Sequence, residues 1–194
     1  MATSLHGPQP GAAGNASNER ELALFRQVVK HDRAAFRELY LIYHRRLARF
    51  LMRLTSRHDV IEEIINDTLW TVWQKAGDFR GDSQVSTWIV GITYRRAMQA
   101  LRKPGSMRSI NSSEPLATPD TQLAEENRQW LDRALAELPL EQRMVLELSY
   151  LLGHSCEEIA AIMQCPVNTV KTRMFHAREK LRRSLPRLAD SQEP

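Results

Sequence analysis

Apolar residues return along this chain at steps of three and four, the period that turns one face of an α-helix inward. Leu22, Phe25 and Val29 give a first helix from Asn18 or Glu19 to about His31. Asp32, a favoured N-cap type, opens a second. Phe36, Tyr40, Tyr43, Leu47, Phe50 and Leu54 hold one side of it, while Arg45, Arg46, Arg49 and Arg53 fall off that line. A third helix starts at Asp59, with Glu62 three residues on as its capping pair. Ile61, Ile64, Ile65, Leu69, Val72 and Trp73 form its inner stripe; Glu62, Glu63, Asn66 and Asp67 collect opposite, with Trp70 beside them. Turn formers over 77–83 break the pattern. A fourth helix follows over 86–103, with Val85, Trp88, Ile89 and Ile92 inward and Tyr94, Arg95, Arg96, Gln99, Arg102 and Lys103 outside.

Residues 104–117 have no apolar period and are rich in Ser and Pro, which reads as a linker. Fully stretched at about 3.5 Å per residue, it separates its flanks by about 50 Å. Thr118–Pro119 opens a fifth helix reaching Leu138, with Leu123, Trp130, Leu131 and Ala134 apolar. Pro139 opens a sixth, with Met144, Val145, Leu148 and Leu151 inward, closed by Gly153. The stretch 155–183 then shows the plainest organisation. Ser155 and Glu158 form a capping box ahead of a short helix with Ile159, Ala160, Ile162 and Met163 on one stripe. Gln164–Cys165–Pro166 interrupts it, and Val170, Met174, Ala177 and Leu181 line the inner side of a longer basic helix. Short helix, tight turn and basic helix are the parts of a helix-turn-helix. An ordinary helical hairpin with solvated cations is the plainer reading of the same pattern.

The fold class is therefore all-α: two small helical domains joined by a flexible linker, the C-terminal one containing a helix-turn-helix. The expected divisions are a tail over 1–18, a domain over 19–103, the linker 104–117, a second domain over 118–187 and a tail over 188–194. Charge sharpens this outline. Lys and Arg number 27 against 23 Asp and Glu, but 171–187 alone holds seven cations and one anion. Local basic charge of this kind suits a polyanion-binding surface. The acidic face of the third helix fits either plain solubility or a docking surface for a basic partner, with Trp70 as anchor. Aromatic residues interleaved with Arg95, Arg96, Arg102 and Lys103 on the fourth helix, next to the polar 77–83 loop, suit a single-stranded nucleic acid, which needs flat stacking faces and phosphate partners; Trp88 reads as core, and Arg95, Arg96 and the loop as functional.

Other chemistries find little support. The two cysteines, Cys156 and Cys165, supply no disulfide framework, which points to a reducing cytoplasm; a redox pair between them stays open. His154, Cys156, Cys165 and His176 lack the paired spacing of a zinc site. No apolar run reaches membrane-spanning length and no phosphate loop or nucleophile elbow is present, so neither membrane insertion, a cofactor, a metal nor catalysis is expected.

Two blocks resemble a known family. EEIINDTLWTVW, at 62–73, resembles the segment by which sigma factors hold core RNA polymerase, and 134–182 resembles their promoter-binding C-terminal domain. The most specific pieces are Leu138–Pro139–x–x–Gln142–Arg143, Glu158–Ile159–Ala160 and Thr169–Val170–Lys171–Thr172–Arg173. With only these two modules, the chain is similar to the extracytoplasmic-function (ECF) class of the sigma-70 family over about 34–185. The resemblance implies that Glu63, Asn66 and Asp67 face the coiled coil of the largest polymerase subunit, with Glu62 and Trp70 completing that surface. It places Phe79, Arg80, Asp82, Ser83 and Gln84, with Tyr94, Arg95, Arg96 and Gln99 of the next helix, at the melted −10 element. Asn168, Thr169, Lys171, Thr172, Arg173, His176 and Arg178 would lie in or beside the major groove of the −35 element. Partners implied are core polymerase, promoter DNA and an anti-sigma protein. Asn66 and Asp67 stand where the family has the longer Gln and Glu, and Asn168 and Gln164 where Gly is common. A freestanding helix-turn-helix regulator is the rival reading, and a recombinase with such a tail a more distant one.

Overall fold

The computed structural model describes residues 12–101, 131 and 133–190, with side chains over 18–101, 131 and 133–184. All regular structure among these residues is helical. Four helices make the first half: α1 (Ala12–Val29), α2 (Arg33–Met52), α3 (His58–Lys75) and α4 (Val85–Leu101), with a 3₁₀ turn at Ala76–Asp78 after α3. The second half contains helical residues 133–136, α5 (Leu140–Leu146), a π-helical turn at Glu147–Leu151, α6 (Cys156–Met163) and α7 (Val167–Asp190).

The α2 stripe does what its period predicts, since Tyr43, Leu47, Phe50 and Leu54 are fully buried. It is wider than one line of residues, because Ala35, Leu39 and Leu51 are buried too. Helices α1 and α3 cover one side each, which demands a broad apolar arc. Asp32 caps α2, its carboxylate accepting from the N–H of Ala34 at 2.8 Å and of Ala35 at 3.1 Å. The Tyr43 hydroxyl donates to Glu21 of α1; burial first, and then this carboxylate, push the phenol pKa well up.

Four sequence expectations need correction. Helix α1 begins at Ala12, before the expected Asn18, and turns Val28 inward while Val29 stays exposed. Helix α3 begins one residue early, with Arg57 at the N-cap and no side-chain cap. Asp59 lies in the first turn paired to Arg57, and Glu62 reaches His44 at 3.1 Å, so the capping pair does not form. Leu151 is exposed and Leu152 is buried in its place. The reason is the π turn, whose wider pitch of about 4.4 residues brings i+4 rather than i+3 back onto the Leu148 face. Leu131, one of the apolar residues of the expected fifth helix, is exposed. The linker, most of the fifth helix and the far ends of both domains lie outside the described residues.

The helix-turn-helix forms as its sequence predicts. Ser155 Oγ accepts from the Glu158 N–H at 3.2 Å, and the Glu158 carboxylate accepts from the Ser155 N–H at 2.9 Å. Gln164 ends α6 in the left-handed region at φ 53°, and Cys165 N–H closes the turn on the Ala160 carbonyl at 3.1 Å. Val170, Met174 and Ala177 are buried against α5 and α6, and Leu181 is half-buried.

The two halves share a core rather than standing apart. Helix α6 packs on α4, and the Thr87 hydroxyl donates to Glu158 at 2.9 Å across that contact. Two arginines add further ties: Arg46 donates to the Leu152 carbonyl at 3.1 Å and Arg143 donates to the Arg53 carbonyl. Helix α4 buries Ser86, Thr87, Val90, Gly91, Thr93 and Ala97 besides its predicted stripe. A second buried side of small residues is what a helix between two packing partners requires.

Candidate nucleic-acid and partner interfaces

The first surface is the outer face of α3. Glu62, Glu63, Asn66 and Asp67 are exposed because the inward stripe of α3 occupies the opposite side of the helix. Trp70 follows them and is 58% exposed, a large apolar area to leave in water unless something covers it. Neighbouring helices hold the strip in place. Tyr40 donates to Asn66 at 3.0 Å, and the Arg96 guanidinium reaches Asp67 at 2.9 Å and the Thr71 hydroxyl at 3.2 Å. The acidic strip is thereby linked to α4, a connection that periodicity did not reveal.

The second surface combines the 77–84 loop with α4. A cleft of about 340 Å³ opens between α3 and α4, with Lys75, Trp88, Arg95, Arg96 and Gln99 along its walls. Arg95 and Gln99 are exposed, as are Arg80, Asp82 and Gln84 on the loop, whereas Ser83 and Tyr94 are half-buried. The expected set therefore divides between a loop group and a cleft group. Phe79 belongs to neither. Its ring lies 5.2 Å from Phe25 edge-to-face and 5.6 Å from Trp88, so it anchors the loop instead of offering a free stacking face. Lys75 joins the cleft unpredicted; as the last residue of α3 it carried no signal beyond a favourable dipole position.

The third surface is the outer side of α7. Asn168, Lys171, Thr172 and His176 are exposed along its first turns, with Thr169 half-buried beside them. Arg173 differs, because its guanidinium pairs with Glu141 of α5 and lies 3.6 Å from the Cys165 sulfur. Arg178 donates to the Tyr150 hydroxyl at 2.7 Å and sits 5.7 Å from that ring. Both arginines brace α7 against the rest of its half. Phe175, absent from the expected set, is 61% exposed and its ring lies 5.5 Å from that of His176. Its spacing of three and four from Thr172 and Lys171 would have placed it on this face. Net apolarity instead marks such a residue as ordinary core.

Glu158 carries the clearest electrostatic perturbation. Burial would raise its carboxyl, but hydrogen bonds from His154, the Ser155 N–H and Thr87 outweigh this and hold it at about 2. Its role is structural, at the junction of α4 and α6. Cys156 and Cys165 are free, half-buried thiols, and among the described residues no group of three or more His, Cys, Asp or Glu side chains is placed to hold a metal. No described helix is long and apolar enough to cross a membrane.

Comparison with known proteins matches two segments of the chain to family models. Residues 39–106 match the model of sigma-70 region 2, and residues 128–181 match that of sigma-70 region 4. The ECF RNA polymerase sigma-E factor of Escherichia coli K12 is 33% identical, over 81% of this chain and 90% of its own; that of Salmonella typhimurium LT2 matches equally. The sigma-H factor of Pseudomonas aeruginosa is 28% identical over 87% of this chain and 95% of its own. Among solved structures, CnrH in complex with the cytosolic domain of CnrY shares the fold, with a TM-score of 0.66 at 22% identity over 88% of this chain and 97% of that one. The sigma factor RpoE of Bartonella quintana, solved with the anti-sigma factor NepR, gives 0.62 at 26% identity over 81% and 98%. With regions 2 and 4 in order and relatives matched along most of their length, this chain belongs to the ECF class of the sigma-70 family and is an RNA polymerase sigma factor.

Proposed function

We propose that initiation is divided between three faces of this sigma factor. The acidic strip Glu62, Glu63, Asn66, Asp67 and Trp70 docks on a basic coiled coil of core polymerase. The 77–84 loop and the Lys75–Trp88–Arg95–Arg96–Gln99 cleft hold the melted −10 strand. Asn168, Thr169, Lys171, Thr172, Phe175 and His176 read the −35 major groove, with Arg173 and Arg178 fixing the helix that presents them. The domain divisions follow the same plan, residues 12–101 serving core polymerase and the −10 element and 133–190 serving the −35 element.

The physical roles differ by surface. Lys171 supplies charge to phosphate or to a guanine edge, and Phe175 supplies an apolar face suited to a thymine methyl group. Around the cleft, cations neutralise phosphates while Trp88 offers its edge to unstacked bases; stacking and hydrogen bonds there offset an unstacking cost of a few kcal/mol. Asn66 and Asp67 keep the hydrogen-bonding chemistry of longer side chains with a shorter reach, so the polymerase coiled coil must sit closer to α3. Net charge is only +4, so affinity of the free chain for DNA is weak. Pairing with polymerase makes two weak sites act together.

The observation that carries this reading is the exposed Glu62–Trp70 strip, which a freestanding regulator has no use for. Because the solved structure of the similar RpoE of Bartonella quintana includes the anti-sigma factor NepR, a partner of that kind is proposed here as well. The protein has no catalytic step of its own and works in the cytoplasm. Run-off transcription with purified core polymerase and a library of promoter fragments tests the proposal. Transcripts that require this chain are expected; a reaction silent across salt concentrations, with a palindromic duplex bound by the chain alone, refutes it.

A further inference from the structure

Helix α2 carries a second stripe that the fold leaves in water. Positions 34, 38, 41, 45, 48 and 52 recur at steps of four and three on the side turned away from its buried line. Leu41 on this stripe is 55% exposed, and Ile42 and Met52 are 45% and 41% exposed, a large apolar area for one solvated helix. Arg33, Arg37, Arg45 and Arg49 surround these side chains. All four are exposed, and none has an ion pair among the described residues. The one acid of α2, Glu38, lies 3.8 Å from Arg20 of α1. Arginine around aliphatic side chains suits a protein partner, since a phosphate backbone has nothing apolar to set against Leu41 and Ile42.

The complementary surface lies on the same molecule. Helix α3 runs antiparallel beside α2, because Tyr40 donates to Asn66 while His44, one turn later, meets Glu62, one turn earlier. The acidic strip of α3 and the basic stripe of α2 therefore lie side by side, divided by that seam. A two-fold axis along the seam lays α2 of one copy on α3 of the other and keeps each residue at its own level. Arg45 then comes opposite Glu62 and Glu63, Leu41 opposite Asn66, and Arg37 opposite Asp67 and Trp70. An axis across the helices would instead set arginine on arginine, which like-charge repulsion disfavours. Two helices about 10 Å apart and about 30 Å long cover roughly 600 Å² per copy, or about 1,200 Å² for the pair, the size of a reversible contact.

We propose that this sigma factor pairs with a second copy of itself, the α2 stripe of each covering the Glu62–Trp70 strip of the other. Opposite charges meet at two levels of each crossing, and Trp70, Leu41 and Met52 lose water together. Because the covered strip is the surface that docks on polymerase, pairing and docking exclude each other, and sigma factor in excess of polymerase is held as the pair. That consequence rests on the proposed function; the pairing does not.

The test uses three forms of the full chain: the parent, Arg37→Glu with Arg45→Glu, and Glu63→Lys with Asp67→Lys. Sedimentation equilibrium is expected to show a reversible parent dimer with a dissociation constant at or below about 100 μM, weakening about tenfold between roughly 50 and 500 mM salt. Each reversed chain alone is expected to be monomeric at unchanged helicity, because like charges now face each other. An equimolar mixture of the two is expected to restore the dimer, since every reversed residue then meets its opposite. Glu63→Lys alone takes the place of the lysine pair should helicity fall, because Asp67 also holds Arg96. A monomeric parent, a reversed chain that still pairs, or a mixture that stays apart overturns the proposal. Random duplex DNA or phosphatidylglycerol vesicles that bind a monomeric parent, and not the arginine-reversed chain, assign the face to nucleic acid or lipid and overturn it too. Above the dissociation constant of the dimer, the arginine-reversed chain is expected to compete for core polymerase at least about threefold better than the parent. Equal competition by a parent that pairs overturns the exclusion and counts against the polymerase reading of the strip, while the pairing stands.

Discussion

Replacing Glu158 by Ala removes the anchor between the helix-turn-helix and α4. One carboxylate oxygen accepts from the Ser155 N–H at 2.9 Å, and the other accepts from Thr87 at 2.9 Å. The reverse half of the capping box, Glu158 N–H to Ser155 Oγ, survives the change. Losing the side-chain half of a cap costs about 0.5–1 kcal/mol. Leaving the buried Thr87 hydroxyl without its acceptor costs a further ~1–2 kcal/mol. The expected loss is therefore about 1.5–3 kcal/mol, or roughly 3–12 °C in Tm for a chain of this length.

The same residue controls the acid limb of stability. The Glu158 carboxyl sits at about 2 in the folded chain against an ordinary 4.5. A lowered folded pKa stabilises at pH above 4.5, and that stability is lost as the pH falls towards 2. The gap corresponds to about 3 kcal/mol at most, and to about 2 after allowing for the fifth of the side chain that meets water. Glu158→Gln keeps the shape and removes the titration. Urea denaturation of parent, Ala and Gln chains between pH 7 and 2.5 gives both quantities. An Ala variant losing under about 0.5 kcal/mol, or a Gln variant whose acid limb overlays the parent's, refutes this account of the junction.

Other expected outcomes follow from the remaining surfaces. Gln164→Gly relieves a left-handed backbone at φ 53°, and denaturation should show a gain of about 0.5–1 kcal/mol with DNA binding intact. Asp67→Lys reverses charge in the acidic strip and sets it against Arg96; polymerase affinity in a pull-down or competition titration should fall by about tenfold or more while −35 duplex binding by the full chain is unchanged. Lys171→Ala should weaken −35 binding and lower the salt slope of that binding by about 1 if the contact is to phosphate. Phe175→Ala should cost about 1 kcal/mol on a fragment carrying thymine at the contacted step and almost nothing when uracil, lacking the methyl group, replaces it.

Most of the helices and both modules were legible in the sequence because each rests on local rules. Asp32 and the Ser155–Glu158 pair cap helices with atoms two or three residues away, and the stripes of α2, α3 and α7 follow from period alone. The acidic strip was legible for the same reason, since exposure of Glu62–Asp67 is the complement of the buried Ile64–Ile65–Leu69 line. Reading failed where a distant partner intervened. Arg57 took Asp59 and His44 took Glu62, so the expected capping pair of α3 never formed. The ring contact of Phe79 with Phe25, 54 positions away, is of the same non-local kind. The pairing of Arg173 with Glu141, 32 positions away, is likewise beyond any local pattern.

By itself the sequence determined the helical elements, their order, the helix-turn-helix and the family, because caps, periods and motif spacings are properties of neighbouring residues. Only the tertiary structure decided that α4 carries a second packed side, that Arg96 joins the acidic strip to the cleft, and that α6 closes on α4 through Thr87 and Glu158. Those contacts join residues 29 and 71 positions apart, and no local pattern encodes which surface will come to face which.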